Sequence, residues 1–252
     1  MMKSALRRGA LALSLTLAGS AMVSAPQAYS AAAAAPPAPV RVTERDVEAS
    51  NAKIAAAYRH LTDTWTDAFE QVGERFAPPR LASYRGYTRT SCGVMPANNA
   101  VYCPSRNSIY FDEVFVAAQA KAAAQELGTD GDMAAIGIIA HETGHAVALQ
   151  LGHRSRFTYD NEKVADCLAG AFARDADKDG ALEKGDVEEA FFGMAAAADP
   201  DPTLTGDERV DRRILARRAL MGHGTREQRQ ANFRTGLERG AGACLPQLAS
   251  VR

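Results

Sequence analysis

The segment AHETGHAVAL, residues 140 to 149, most constrains the fold, because it places two histidines four residues apart inside an apolar run. Residues i and i+4 lie one turn apart on one face of a helix, so His141 and His145 can direct imidazole nitrogens at one cation. Glu142 lies beside them, where its carboxylate can serve as the general base of a hydrolysis without ligating the metal. The alternative is a pair of hydrogen-bonded core histidines with no metal.

A catalytic zinc ion normally takes three protein ligands, so a third candidate is needed downstream. In the segment YDNEKVADCLAGAFA, Glu162 opens a second amphipathic helix, and Asp166 follows four residues later on the same face. Asp166 could accept a hydrogen bond from a ligating imidazole and so support it. The alternative is that both acids form a solvated helical face near a helix N-terminus. We expect small side chains to let this helix pack closely against the first, at Ala165, Ala169, Gly170 and Ala173.

These motifs resemble a family of bacterial neutral zinc metallopeptidases, in which a His-Glu-x-x-His helix precedes Glu-x-x-Ala-Asp-Cys, here EKVADC. The resemblance covers residues 85 to 245 and includes SCGVMPANNAVYCPSRNSIYFD, LEKGDVEEAF and HGTREQRQANFRTGLERGAGAC. It implies a gluzincin-like site, with His141, His145 and Glu162 as zinc ligands and Glu142 as general base. Family members usually carry His-His-Val-Gln after the glycine, whereas this chain has HAVALQ with Ala146. That departure concerns substrate contacts more than zinc binding.

The remaining pattern is mostly helical. Together with the resemblance it predicts a mainly α (α+β) fold, a zincin-like helical domain with a small β-hairpin beside the metal site. AVYC and SIYFD read as the two strands of the hairpin, and an edge strand near the metal would receive an extended peptide. Helices are predicted for TERDVEASNAKIAAAYRHLTDTWTDAFEQVG and near residues 113–127, 132–151, 161–174, 185–197, 207–221 and 225–239.

The first 31 residues contain Lys3, Arg7 and Arg8, then an apolar stretch, then small residues, which predicts a signal peptide. Residues 32–41 form an Ala/Pro linker, and the 252-residue chain with 46% hydrophobic content then suffices for a single domain over 42–252. The predicted location is secreted or periplasmic, and the alternative is an uncleaved membrane anchor. Because the leader holds three of the 29 basic residues and none of the 30 acidic ones, the mature chain is acidic, which argues against nucleic acid as a partner.

Export also changes the interpretation of the four cysteines, because cysteines outside the cytoplasm tend to pair. Cys92 and Cys103 flank the predicted hairpin and are expected to bond to each other. Cys167 and Cys244 then remain as the second pair. The alternative is that Cys167 is a small buried thiol.

The segment DADKDGALEKGD matches the spacing of a calcium-binding loop. Its last position is aspartate instead of glutamate, so a simple acidic turn is the alternative, with Asp186 as the N-cap of the following helix. The candidate calcium ligands are Asp175, Asp177, Asp179 and Asp186.

His223 lies between two glycines and is a candidate donor to the oxyanion of a peptide hydrolysis. Its alternative role is to cap a helix that starts near Thr225, and Tyr159 is the rival donor.

These features together predict an exported zinc-dependent peptidase acting on a peptide or protein substrate. One alternative is a non-catalytic exported module that uses zinc for structure or protein binding, and another is a calcium-stabilised surface module. A catalytic zinc site keeps one position open, whereas a structural site is closed by a fourth protein ligand.

Overall fold

The computed structural model describes residues 40–251, and these fold into seven helices and five short strands. The class is therefore mainly α with a few strands, as the sequence predicts. The helices are α1 (Glu44–Gln71), α2 (Glu113–Leu127), α3 (Asp132–Gln150), α4 (Thr158–Lys178), α5 (Asp186–Ala196), α6 (Glu208–Met221) and α7 (Arg226–Arg239). The strands are β1 (Arg80–Tyr84), β2 (Thr88–Thr90), β3 (Gly93–Met95), β4 (Ala100–Cys103) and β5 (Ser108–Asp112).

The long helix α1 covers one side of the core. It begins at a capping box, in which the Thr43 hydroxyl accepts from the amide of Asp46 while the Asp46 carboxylate accepts from the amide of Thr43. Its apolar residues recur at helical spacing and are buried, so this stripe packs against α2 and α3. The buried apolar residues of α1 are Val47, Ile54, Leu61, Trp65, Ala68 and Phe69.

The predicted hairpin is part of a larger sheet than expected. Strand β5 lies in the centre of a three-stranded sheet, where it pairs in parallel with β1 and antiparallel with β4. A separate antiparallel ribbon joins β2 to β3. β1 was not predicted for two reasons. Buried and exposed positions do not alternate along RLASY, and its partner strand β5 is not adjacent to it in the sequence. β4 is thereby left as an edge strand, and it contacts α3.

Helix α4 lies between α3 and α7 at very short backbone separations. A Cβ atom on Gly144 of α3 would lie 2.8 Å from the carbonyl oxygen of Ala165, so the glycine allows this approach. Gly170 was expected to face α3, but it faces α7, where a Cβ would lie 1.9 Å from the carbonyl oxygen of Phe233. Likewise, a Cβ atom on Gly236 of α7 would lie 1.8 Å from the carbonyl oxygen of Cys167. Small residues therefore set the spacing of all three helices.

The predicted calcium loop is not formed. Helix α4 continues to Lys178, so Asp175 and Asp177 lie in its last turn instead of in a loop. The helix ends in a Schellman motif: the amide of Ala181 donates to the carbonyl of Ala176, and Gly180 has a φ of 70°. The burial of Ala176 in the core keeps this last turn helical.

The four candidate calcium ligands consequently do not come together. Asp175 and Asp179 lie near His60 of α1, with the Nε2 of His60 3.5 Å from a carboxylate oxygen of Asp179. Asp186 instead groups with Asp130, Asp132 and Glu189. Asp186 is also not an N-cap, because Gly185 occupies that position and Asp186 is the first helical residue.

Both predicted cysteine pairs are bonded in the structure. Cys92 in the turn between β2 and β3 bonds to Cys103 at the end of β4. Cys167 of α4 bonds to Cys244, which ties the segment after α7 to the helix that carries Glu162. The free-thiol alternative for Cys167 is therefore wrong.

Within residues 40–251, no helix combines the length and the apolar character needed to cross a bilayer. The predicted signal peptide, and all but the last two residues of the predicted linker, lie outside the described residues.

We expect the two disulfides to contribute unequally to stability. Cys167 and Cys244 are separated by 77 positions, and Cys92 and Cys103 by 11. The entropy of loop closure predicts a loss of about 4 kcal/mol for Cys167→Ser with Cys244→Ser, and about 3 kcal/mol for Cys92→Ser with Cys103→Ser. Urea unfolding of the two double variants measures this, and a larger loss from the shorter loop would contradict the expectation.

A second expectation concerns Asp186. Burial and the nearby carboxylates of Asp132 and Glu189 raise the pKa of Asp186 from 3.8 to about 6. The folded protein therefore holds this proton more tightly than the unfolded chain, so stability falls as pH rises through about 4 to 6. Asp186→Asn lacks this loss and should gain on the order of 1 kcal/mol relative to the wild type between pH 4 and pH 7.5.

Thermal or urea unfolding at both pH values tests this, with Asp201→Asn at an exposed position as the control. A difference between wild type and Asp186→Asn that does not change with pH would refute it.

Candidate metal centre

Helices α3 and α4 bring together three side chains that could hold a metal ion. His141 and His145 extend from one face of α3, and Glu162 faces them from the first turns of α4. The Nε2 of His141 lies 3.1 Å from Oε2 of Glu162, and the Nε2 of His145 lies 3.4 Å from Oε1 of the same carboxylate. All three donor atoms lie within 4.8 Å of one another. These are the three residues that the sequence analysis proposed as ligands.

The geometry of this group suits a zinc ion. Two imidazoles and one carboxylate are a donor set found in catalytic zinc sites. With zinc–ligand bonds of 2.0–2.1 Å in a tetrahedron, neighbouring ligand atoms lie about 3.3 Å apart. The Nε2 atoms of His141 and His145 lie 3.1 and 3.4 Å from two different oxygens of Glu162, close to that value. The residues present therefore have the chemistry and the proximity to supply three ligands of a zinc ion.

Asp166 fixes the orientation of the His141 ring. It lies one turn after Glu162 on α4, is fully buried, and its Oδ1 lies 2.8 Å from Nδ1 of His141. An imidazole that donates its Nδ1 proton to a carboxylate presents the lone pair of Nε2 on its other side. This contact would select that tautomer once a metal displaces the Nε2 proton, and it directs Nε2 toward Glu162.

Contacts among His141, His145, Glu162 and Asp166 shift the pKa values of His141 and Glu162. Burial lowers the pKa of His141, but its hydrogen bonds to Asp166 and Glu162 outweigh burial and raise the pKa to about 10. Burial raises the pKa of Glu162, but its contacts with His141 and His145 outweigh that effect and hold the pKa far below its usual range. A metal that binds here must therefore displace a proton from His141, which makes binding weaker in acid.

Glu142 lies next to the three donors but has a different partner. One of its carboxylate oxygens, Oε2, accepts a hydrogen bond of 2.7 Å from the backbone amide of Tyr102 in the edge strand β4. The side chain is buried, and it is not a member of the group that could hold the ion. The structure thus places Glu142 between the donor group and the edge of the sheet.

A cleft of about 890 Å³ opens over this centre. Strand β4 forms one wall, and the end of α5 with residues 196–198 forms another. His141, Glu142, His145 and Glu162 all line it. Its apolar lining includes Phe115, Ile138, Leu149 and Met194, so the cleft offers both an apolar surface and polar groups.

His223 lies on the wall of the same cleft. Asp199 holds this turn, because its Oδ2 accepts from the backbone amides of His223 (2.7 Å) and Gly224 (3.2 Å). The His223 side chain is 54% exposed, and its Nδ1 lies 3.6 Å from Oδ1 of Asp199. The rival donor, Tyr159, packs instead against Gly224 and does not line the cleft.

A neck joins the two ends of the segment that carries α6. The residues of the neck are Asp199 and Thr225, which form an isolated bridge, and the amide of Asp199 donates to the carbonyl of Gly224 at 2.8 Å. Residues 200–224, including α6, therefore leave and return to the domain at one place beside the cleft.

The sequence analysis did not assign a role to Arg229, which is buried at this site on α7. Its Nε and Nη2 donate to Asp166, with the shortest contact 2.6 Å, and its Nη1 donates to the carbonyl of Ala197 at 2.9 Å. α7 also contains Arg226, Arg234 and Arg239, so no local pattern distinguishes the buried arginine from its neighbours. Only the packing of α7 on α4 identifies it.

Comparison with known proteins supports this picture. The protein named "Uncharacterized protein YpfJ" of Escherichia coli (strain K12) is 33% identical over 196 residues, which cover 71% of this chain and 64% of the relative. The protein of that name from Escherichia coli O6:H1 matches equally. This chain thus spans less than two thirds of the length of these relatives, and no solved structure matches it significantly. The family model described as "Putative neutral zinc metallopeptidase" matches residues 11–245, so the chain belongs to this neutral zinc metallopeptidase family.

Proposed function

We propose that this protein is an exported zinc-dependent peptidase, with His141, His145 and Glu162 as ligands and Glu142 as general base. The observation that carries the proposal is the convergence of the three donor atoms within 4.8 Å on the floor of an open cleft, with Glu142 beside them. Membership of the zinc metallopeptidase family supports it. The substrate is a peptide or a protein.

When bound, zinc supplies a Lewis acid that polarises the scissile carbonyl and makes water a stronger acid. Glu142 then takes the proton of the attacking water and passes it to the leaving amine. The amide of Tyr102 already holds Oε2 of Glu142, so Oε1 is the oxygen free to take the proton. His141 and Glu162 are oriented before substrate arrives, because Asp166 fixes the imidazole and the imidazoles fix the carboxylate.

The edge strand β4 would hold the substrate by its backbone. In an antiparallel pair, backbone groups alternate between the partner strand and the opposite side. The amide of Asp112 in β5 donates to the carbonyl of Asn99, just before β4, so residues 100 and 102 are the ones whose backbone groups point away from β5. The Tyr102 amide accordingly donates to Glu142, and the backbone of Ala100 faces the same outer side. An extended peptide laid along β4 would pair with the backbone of Ala100, while the Tyr102 amide stays on Glu142, and would bring its carbonyl to the metal centre. Such pairing constrains the backbone of the substrate and leaves its sequence free.

The donor count favours a catalytic site over a structural one. In the described part of the chain, the group that could hold the ion has three members. All four cysteines are bonded in disulfides, so none can serve as a fourth ligand. A zinc ion held by these three residues would keep a fourth coordination position for water or substrate, as catalysis requires.

Two features support export. Disulfides persist in oxidising compartments, and this chain has two. The N-terminal sequence has the charge and hydropathy pattern of a signal peptide.

The mechanism predicts that Glu142→Gln abolishes peptide hydrolysis while zinc remains bound. Glutamine cannot take the proton, but it still accepts the hydrogen bond from the Tyr102 amide, so the fold is kept. In contrast, His145→Ala and Glu162→Ala should lose both zinc and activity. Metal content by mass spectrometry and cleavage of a peptide library measure the two properties.

The control for Glu142→Gln is Glu126→Gln, because Glu126 lies at an exposed position of α2. It should behave as the wild type. Hydrolysis at the normal rate by Glu142→Gln would exclude the mechanism.

We further propose that His223 donates to the oxyanion that forms on the scissile carbonyl. Its place on the cleft wall, held by Asp199, supports this role. His223→Ala should lower kcat on the order of a hundredfold, because removal of one oxyanion donor typically has an effect of that size. Zinc content and the thermal unfolding curve should not change.

Tyr159→Phe is the comparison for His223→Ala. If His223→Ala retains full turnover and Tyr159→Phe loses it, Tyr159 is the donor and the assignment to His223 is wrong.

A further inference from the structure

Arg229 is a buried cation that the proposed reaction does not itself use. Only 4% of the residue is exposed, and it lies on α7, one turn after the N-cap residue Thr225. A buried charge must be compensated by partners with good geometry. The partners of Arg229 come from two different parts of the site, and this arrangement suggests its role.

The first partner is Asp166. Nε of Arg229 lies 3.1 Å from Oδ2 of the carboxylate, and Nη2 lies 2.6 Å from Oδ1. A planar guanidinium that binds both oxygens of a carboxylate fixes the plane of that carboxylate. The Oδ1 atom that accepts from Nη2 is also the one that lies 2.8 Å from Nδ1 of His141. Arg229 therefore determines where the acceptor for the imidazole proton lies, and its Nη2 also lies 3.2 Å from Nδ1 of His141.

The second partner is the wall of the cleft. Nη1 donates to the carbonyl oxygen of Ala197, which ends α5, at 2.9 Å. Residues 196–198 line the cleft together with the metal-binding side chains. The guanidinium of Arg229, on α7, thus links α4, which carries Glu162, to residues 196–198, the wall along which substrate would lie.

We propose that Arg229 is a positioning residue that holds His141 in its ligating orientation through Asp166 and holds residues 196–198 against the metal centre. The inference rests on the proposed function, because it takes His141 as a zinc ligand. The inference requires the planar guanidinium of arginine, whose several N–H groups bind different partners at once, and not only a positive charge. Lysine at this position could keep a cation near Asp166, but a single ammonium group cannot bind both carboxylate oxygens and the Ala197 carbonyl with the same geometry.

The test uses Arg229→Lys, Arg229→Gln and, on the same helix, Arg234→Lys. Arg234 is a matched control, because it is exposed and its guanidinium lies over the ring of Phe191, 5.1 Å from the centroid. Zinc affinity is measured by competition with a chelator, and the metal geometry by the visible absorption of the cobalt(II) form. Thermal unfolding of each metal-free protein reports on the fold.

We expect Arg229→Lys and Arg229→Gln to weaken zinc binding 10- to 100-fold, the usual effect of losing support behind a ligand. The cobalt absorption should shift, because the imidazole of His141 changes orientation. Arg234→Lys should match the wild type in both measurements. Asp166→Asn should weaken zinc to a similar degree, and its combination with Arg229→Lys should weaken it by less than the sum of the two single effects, because both residues position the same imidazole.

Folded Arg229→Lys with wild-type zinc affinity and cobalt spectrum would overturn the inference. So would failure of both Arg229 variants to fold while Asp166→Asn folds, because Arg229 would then serve the fold alone. These outcomes differ from failure of the proposed function, which would appear as a wild-type protein that binds no zinc or that binds zinc and hydrolyses no peptide. In the last case the effect of Arg229 on zinc affinity would still be measured.

Discussion

The close approach of α3, α4 and α7 is the constraint on which the site depends. At Gly144, Gly170 and Gly236 a side chain of any size would meet the backbone of the next helix. Because the helices touch there without side chains between them, Glu162 lies within reach of both histidines, and α7 lies close enough for its arginine to reach Asp166. The disulfide between Cys167 and Cys244 holds the chain after α7 against the same helix. Packing of the backbone thus comes first, and the chemistry of the site follows from it.

Compensation of buried charge is the second condition. His141, Glu162, Asp166 and Arg229 are all nearly inaccessible to water, and each faces a partner of opposite charge. Ion pairs of this kind contribute little net stability, since desolvation offsets their attraction, but loss of one member leaves an uncompensated charge. The network therefore serves orientation more than stability. Glu142 stands outside it and is held by one backbone amide, which is consistent with the role of general base proposed for it.

The sequence predicted those parts of the structure that are encoded locally. The histidine spacing and the EKVADC segment each act within one or two helical turns, and most predicted helix ends lie within three residues of those observed. The prediction of a calcium loop was wrong because it considered only the spacing of the aspartates. It did not consider Ala176, whose burial keeps α4 helical. β1 and Arg229 could not be predicted, because each is defined by a partner distant in the sequence: β5 for the strand and Asp166 for the arginine.

The neck at Asp199 and Thr225 has a consequence for how the domain can change over evolution. Since the two ends of residues 200–224 are already held together, lengthening this segment alters only the entropy of a loop that is closed in any case. That entropy grows slowly, by about 0.6 kcal/mol for each doubling of loop length. Insertions or deletions within residues 201–207, which are mostly exposed, can therefore vary this side of the domain while His223 and the contact of Thr158 in α4 with the carbonyl of Leu220 are kept. The neck thus allows a loop to change in length while the helices that hold the site keep their places.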